Sequence, residues 1–260
     1  MVLPLNNLSF SQINTELGRS SNATISLNDA EVRKLAAVGG TGQSTTSGTS
    51  MVAGGLRGHS RVKKTITGTY TTTDLLTLLS PQYSAAGKTY CTAVIDAGAV
   101  IGATNTSSYA LTLNGNAGDV IEIVNNGIIT GAGGDGSSGY SGNGADGGNA
   151  LNATFPTFIT NNGSIWGGGG GGGGGAAGGG GGLLWSGAAG GGAGYVPGNG
   201  VINGTISAGG GSGGAGGGAG GGPGLAGETI SGTGGNPGKY VVGGSNITWI
   251  VTGDRRGGAA

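Results

Sequence analysis

The chain has 260 residues, of which 69 are glycine and 6 proline, and its 11 basic residues balance its 11 acidic ones. Glycine and proline at that level usually mark low-complexity disorder, but charged residues make up only 8% of the chain, far below the content that keeps disordered segments solvated. No lysine or arginine occurs between Lys88 and Lys239, so no continuous basic stripe is available to displace counterions from a nucleic acid.

The opening MVLPLNNLSFSQINTELG lacks both a basic start and a long apolar run, which argues against a signal peptide or a membrane anchor and for synthesis in a cytoplasm. Residues 1 to about 40 read as two short amphipathic helices. Leu8, Phe10, Ile13 and Leu17 fall near helical spacing and Gly18 follows as a stop. Asn28 with Glu31 three residues later has the form of a capping box, and Val32, Leu35 and Val38 then share a face. These apolar faces need a cover, either the rest of the chain or a partner.

From Thr41 to Gly58 the chain is a polar, glycine-punctuated connector. Residues 61 to 126 carry strand chemistry, with Val62, Ile66 and Tyr70, then Tyr109, Leu111 and Leu113, then Ile121 and Ile123 at even spacing. Asp74 to Pro81 predicts one helical turn closed by the proline. Cys91 and His59 are each alone of their type, which excludes an internal disulfide and offers no metal-ligand spacing; no cofactor is expected.

After Asn126 a pattern recurs: IVNNGIITGAGG (123–134), ITNNGSIWGGGG (159–170), VINGTISAGGGS (201–212) and SNITWIVTG (245–253). Recurrence at this interval suggests a stack in which each unit buries its face against its neighbours. Between the units lie glycine-rich arms. Ordering glycine costs about 1–2 kcal/mol per residue, so an arm such as 167–182 orders only if its backbone groups bond to neighbouring arms. The expectation is therefore a mixed fold. Short N-terminal helices and a small β-rich domain (1–126) precede a glycine-rich domain (127–260) built as a sandwich of polyglycine II helices with loops at its ends. A flexible linker is the competing reading, opposed by the Ile, Trp and Tyr residues that recur at the arm ends.

No nucleophile, acid–base pair or ligand cluster stands out, so an enzyme is not expected. Tyr and Trp on loops rich in Gly, Ser and Asn are the side chains suited to contact, which makes Tyr140, Phe155, Leu184, Trp185 and Tyr195 the candidates for binding a partner. Phe158 and Trp166 flank a turn and read as core, and Trp249 alternates with Ile247 and Val251 as a strand does.

The amphipathic N-terminus, the NNG repeats, the glycine arms joined by aromatic loops and the ending NITWIVTGDRRG together make the sequence similar to the distal tail-fibre adhesins of T-even-type bacteriophages. The resemblance implies a virion protein at the distal tip of a long tail fibre. It implies that the N-terminal segment holding Leu5, Leu8, Phe10, Ile13 and Leu17 attaches to a trimeric fibre protein. It also implies that distal loops recognise a bacterial outer-membrane protein or surface glycan, with no nucleic acid and no membrane insertion involved. A fibre-assembly chaperone and, more remotely, a glycine-helix ice-binding protein are the competing roles.

Overall fold

Ile101, Ile129 and Ile165 lie side by side on three adjacent strands, and Ala93, Ile123, Ile159 and Trp249 do the same on four. Like residues stacked in register are the mark of a solenoid, in which each turn of chain repeats the path of the last. The computed structural model describes Leu3, residues 7–36, Leu56, and residues 59–83, 88–139, 141–175, 189–211 and 216–260.

Each turn contributes one strand to each of up to three sheets. The first turn holds β1 (His59–Ile66), β2 (Thr69–Thr71) and β3 (Thr73–Asp74). The second holds β4 (Lys88–Ile95), β5 (Val100–Gly102) and β6 (Leu111–Leu113), and the third β7 (Val120–Asn125), β8 (Ile128–Thr130) and β9 (Leu151–Ala153). The fourth holds β10 (Thr157–Asn161), β11 (Ser164–Trp166) and β12 (Val241–Val242), and the last β13 (Ile247–Val251) and β14 (Asp254–Arg256). The first sheet runs β1-β4-β7-β10-β13, the second β2-β5-β8-β11-β14 and the third β3-β6-β9-β12, with every pairing parallel. The enclosed core is aliphatic, with Ile121, Ile101, Leu111, Leu113 and Leu151 fully buried. Burial of each such side chain contributes about 1.5–3 kcal/mol.

The NNG repeats are the corners between the first and second sheets. Buried Asn125 donates through Nδ2 to Asn161 Oδ1 at 2.8 Å, and Asn161 donates in turn to Thr252 O at 2.9 Å. The outer asparagines repeat the contact, Asn162 Nδ2 to Asn126 Oδ1 at 3.0 Å. An asparagine side chain bridges successive turns where the backbone bends away from ladder geometry, so the corner's polar groups stay satisfied. Of the four repeats, those at 123–134, 159–170 and 245–253 take part in the stack, whereas the described residues of the third, 201–211, contribute no strand.

The expected mixed fold with a polyglycine II sandwich is overturned. The organising architecture is three parallel sheets that draw strands from residue 59 through residue 256. Ile165, Trp166, Ile247 and Trp249, at arm ends in the sequence, are strand positions, with Ile165 fully buried in the solenoid core and Ile247 and Trp249 packed against it. The glycine-rich segments are connections between the second and third sheets. That connection is Thr72 alone in the first turn, residues 103–110 in the second, 131–150 in the third and 167–240 in the fourth.

Among the described residues, three short α-helices complete the fold: α1 (Phe10–Glu16), α2 (Ala30–Ala36) and α3 (Leu75–Leu79). The capping box is on α1, where Ser9 and Gln12 bond reciprocally, not at Asn28 and Glu31. In α2 the carbonyl of Asp29 takes the Arg33 N–H, and the Asn28 side chain faces Arg33. Asp74 caps α3 by accepting from Thr77 N at 3.0 Å. Leu3, Leu8, Ile13, Leu17, Val32 and Leu35 form a second core with Tyr90 and Val120 on the outer face of the first sheet. The N-terminal segment also blunts the β1 edge: Leu3 N–H donates to His59 O at 2.8 Å and Arg61 N–H to the Glu16 carboxylate at 2.6 Å. At the opposite end Arg255 closes the core, with its guanidinium carbon 4.6 Å from the Trp249 ring centre and 5.1 Å from that of Tyr240.

Candidate functional site

The long connections leave one edge of the solenoid and are tied to one another through main-chain atoms. Along 168–174 successive residues address different neighbours. Gly168, Gly171 and Gly174 donate to Gly148, Ala145 and Gly142, Gly169 and Gly172 to Ala193 and Gly190, and Gly170 and Gly173 to Leu225 and Glu228. A side chain has no room in such a lattice: a Cβ on Gly168 would lie 1.8 Å from the Ala132 carbonyl oxygen. Short polar side chains finish the lateral edge, where Asn143, Asp146 and Asn149 accept from the N–H groups of Thr233, Asn236 and Lys239.

This bonding gives the glycine-rich body an inner and an outer end. Gly167 N–H donates to Arg256 O and Gly224 N–H to Gly167 O, level with the last strands. Gly174, Gly142 and Gly232 meet at the far side, where Ala189 N–H donates to Ser137 O. At the inner end Trp166 donates from Nε1 to Asp254 Oδ2 at 3.0 Å and lies beneath Arg256, 4.8 Å from its guanidinium carbon. Burial acts to raise the Asp254 pKa, but hydrogen bonds from Arg256 and Trp166 outweigh it and hold the carboxyl below its ordinary value.

The sequence profile of the phage tail fibre adhesin Gp38 family matches residues 61–260, spanning both the sheets and the glycine-rich connections. The chain belongs to this family. A chain from the crystal structure of the gp37-gp38 adhesin tip complex of the bacteriophage S16 long tail fibre shares 26% identity with the adhesin at a TM-score of 0.60. That alignment covers 77% of the present chain and 83% of the S16 chain. No curated protein sequence matches.

Of the residues expected to contact a partner, Tyr140, Leu184 and Trp185 lie outside the described residues, as does Leu5. Phe155 is half-buried against the main core, its ring over Gly115, on the solenoid itself. Tyr195 sits at the inner end: its N–H donates to Gly131 O, and its ring covers Gly102 so closely that a Cβ there would fall 1.9 Å from ring Cγ. The structure does not bring these two together. Among the residues expected to attach to a fibre, Leu8, Ile13 and Leu17 are buried in the adhesin's own second core, and Phe10 is 47% exposed. Sequence reasoning favoured aromatic residues and passed over the aliphatic ones that the glycine-rich body exposes, Val201 at 56%, Ile202 at 51%, Leu225 at 63% and Ile230 at 47%. The signal was legible in VING and ETISG, where apolar residues sit in turn sequence with no strand pattern around them.

Proposed function

We propose that the adhesin caps the tip of a trimeric long tail fibre and binds a bacterial outer-membrane receptor with the outer end of its glycine-rich body. One geometric observation carries this reading. The N-terminal helices cover the outer face of the first sheet, whereas the long connections leave the edge between the other two sheets. The three-sided solenoid thus separates an attachment side from a contact side. The S16 structure is of a gp37-gp38 adhesin tip complex of a long tail fibre, which supports a fibre component as the partner for the helical side here. Among the described residues of that segment, Phe10 is the large apolar side chain exposed to meet it. Gly175 and Ala189, which flank the segment carrying Leu184 and Trp185 in the sequence, and Gly139 and Ser141, which flank Tyr140, belong to the outer end of the glycine-rich body. A contact surface fixed by main-chain bonds loses little entropy on binding, and catalysis has no part in this role.

Virions carrying Trp185→Ala test the reading. Adsorption to host cells is expected to fall while the melting temperature of the isolated adhesin stays unchanged; wild-type adsorption would remove Trp185 from the contact surface. The chain is also expected in purified virions in stoichiometry with the fibre tip. Its absence there would mean a chaperone that acts on the fibre and leaves.

A further inference from the structure

Residues 135–138 and 199–201 line an open pocket of about 500 Å³, within the size range of small-ligand sites, on the outer part of the glycine-rich body. Its walls are bonded to each other in both directions. Gly136 N–H donates to Asn199 O at 2.7 Å, and Asn199 N–H donates to Asp135 Oδ1 at 2.7 Å, with Asn199 Nδ2 adding a bond to the same oxygen at 3.2 Å. Ala189 ties both walls from behind, donating to Ser137 O and accepting from Val201 N–H. The Asp135 side chain is thus held by one carboxylate oxygen, and Oδ2 takes no hydrogen bond from the described residues. The Ser138 hydroxyl is likewise uncommitted among them, and Val201 supplies an exposed apolar wall.

An anchored carboxylate with one oxygen open, beside a serine hydroxyl and an aliphatic wall, suits a ligand with hydroxyl donors on one side and C–H groups on the other. Charge narrows the class. Between Asn126 and Lys239 the chain carries Asp135, Asp146 and Glu228 and no lysine or arginine, so nothing there neutralises an anion. We propose that this pocket binds one neutral sugar unit of the host surface, with Asp135 Oδ2 and the Ser138 hydroxyl taking its hydroxyl protons and Val201 covering its apolar face. The proposal rests on the receptor-binding reading and names the chemistry of one subsite within it. A charge-assisted bond from a sugar hydroxyl to a carboxylate is about twice as strong as a neutral one, which makes Asp135 the principal determinant.

The test is a titration of the ¹⁵N-labelled full chain with methyl glycosides of neutral hexoses and N-acetylhexosamines, with methyl sialoside as the anionic control. The amides of Gly136, Ser138, Asn199, Gly200 and Val201 are expected to shift and saturate at roughly millimolar concentration with at least one neutral glycoside and not with the sialoside. Asp135→Asn, which keeps the acceptor for Asn199 N–H, should weaken that binding about tenfold, and Ser138→Ala, at an exposed position, about threefold. The proposal is overturned if no neutral glycoside shifts these amides, if the sialoside shifts them equally, or if Asp135→Asn binds as wild type does. It is also overturned if these amides respond only to a lysine-bearing peptide, which would make the pocket a protein contact. A failed titration with virions that still lose adsorption on Trp185→Ala removes the pocket and leaves the adhesin reading intact.

Discussion

The solenoid and the glycine-rich body solve one problem, ordering a long chain, by opposite means. In the solenoid, side chains do the work: Ile101, Ile129 and Ile165 stack in the core, and Asn125 and Asn161 bridge the corner. In the glycine-rich body the work falls to the backbone, with Gly168, Gly171 and Gly174 each bonded to neighbours far along the chain. The first region fails when apolar volume is removed, and the second when volume is added at a glycine packed against neighbouring backbone.

Substitutions in opposite directions break this comparison cleanly. The largest effect is expected from Ile121→Ala, which empties a fully buried core position and should destabilise the chain by about 2–5 kcal/mol, measured by chemical denaturation. An effect under about 1 kcal/mol would show that the stacked core is not what holds the solenoid. Next is Gly168→Ala, where the added methyl meets the Ala132 carbonyl oxygen at 1.8 Å. Overpacking of this kind costs about 1–3 kcal/mol. It should appear as lost amide-exchange protection at Gly148 and Gly238 with the solenoid amides still protected, and unchanged exchange at both glycines would refute the tight lattice.

Asn161→Ala removes a side chain that joins two turns at the corner and leaves the Thr252 carbonyl without that donor, at about 1–3 kcal/mol. Asn161→Asp, which keeps the shape but loses the amide donors, should be no better than alanine.

Acid gives the smallest effect and sharpens the contrast. Hydrogen bonds hold the Asp74 and Asp254 carboxyls below their ordinary value of 3.8, against the opposing effect of burial. A depressed carboxyl pKa adds stability that is present above the unfolded value and is lost as pH falls through the folded one. Melting followed between pH 5 and pH 2 should therefore show the solenoid weakening below about pH 4. The main-chain bonds of the glycine-rich body have no proton to gain, and its amide protection should outlast the solenoid's; the reverse order would mean that other groups control acid unfolding.

Part of this was legible locally. The spacing of Leu8, Phe10, Ile13 and Leu17 marked a helix at α1 but not its buried face, since Phe10 is exposed, and the run from Asp74 to Pro81 marked α3, because helical periodicity is written within a few residues. The recurrence of NNG between Ile and Val residues marked a stack. It did not disclose the sheets, because β11 and β12 are separated by residues 167–240 and an inserted connection hides the period. The candidate contact surface was read less well. Tyr195 has the loop context of a contact residue, yet its ring lies over Gly102, a position 93 residues earlier that only the fold brings beneath it.

The sequence by itself determined the chemistry of each region: where side-chain volume exists to build a core, where only backbone is left to bond, and that the glycine-rich stretch carries no cation before Lys239. The tertiary structure alone decided which segments become neighbours, that the glycine-rich stretches are connections of a parallel solenoid, and that Leu8, Ile13 and Leu17 turn inward while Phe10 faces out. The reason is physical. Parallel pairing joins residues one full turn apart, and main-chain bonds between glycines carry no side-chain identity from which their partners could be read.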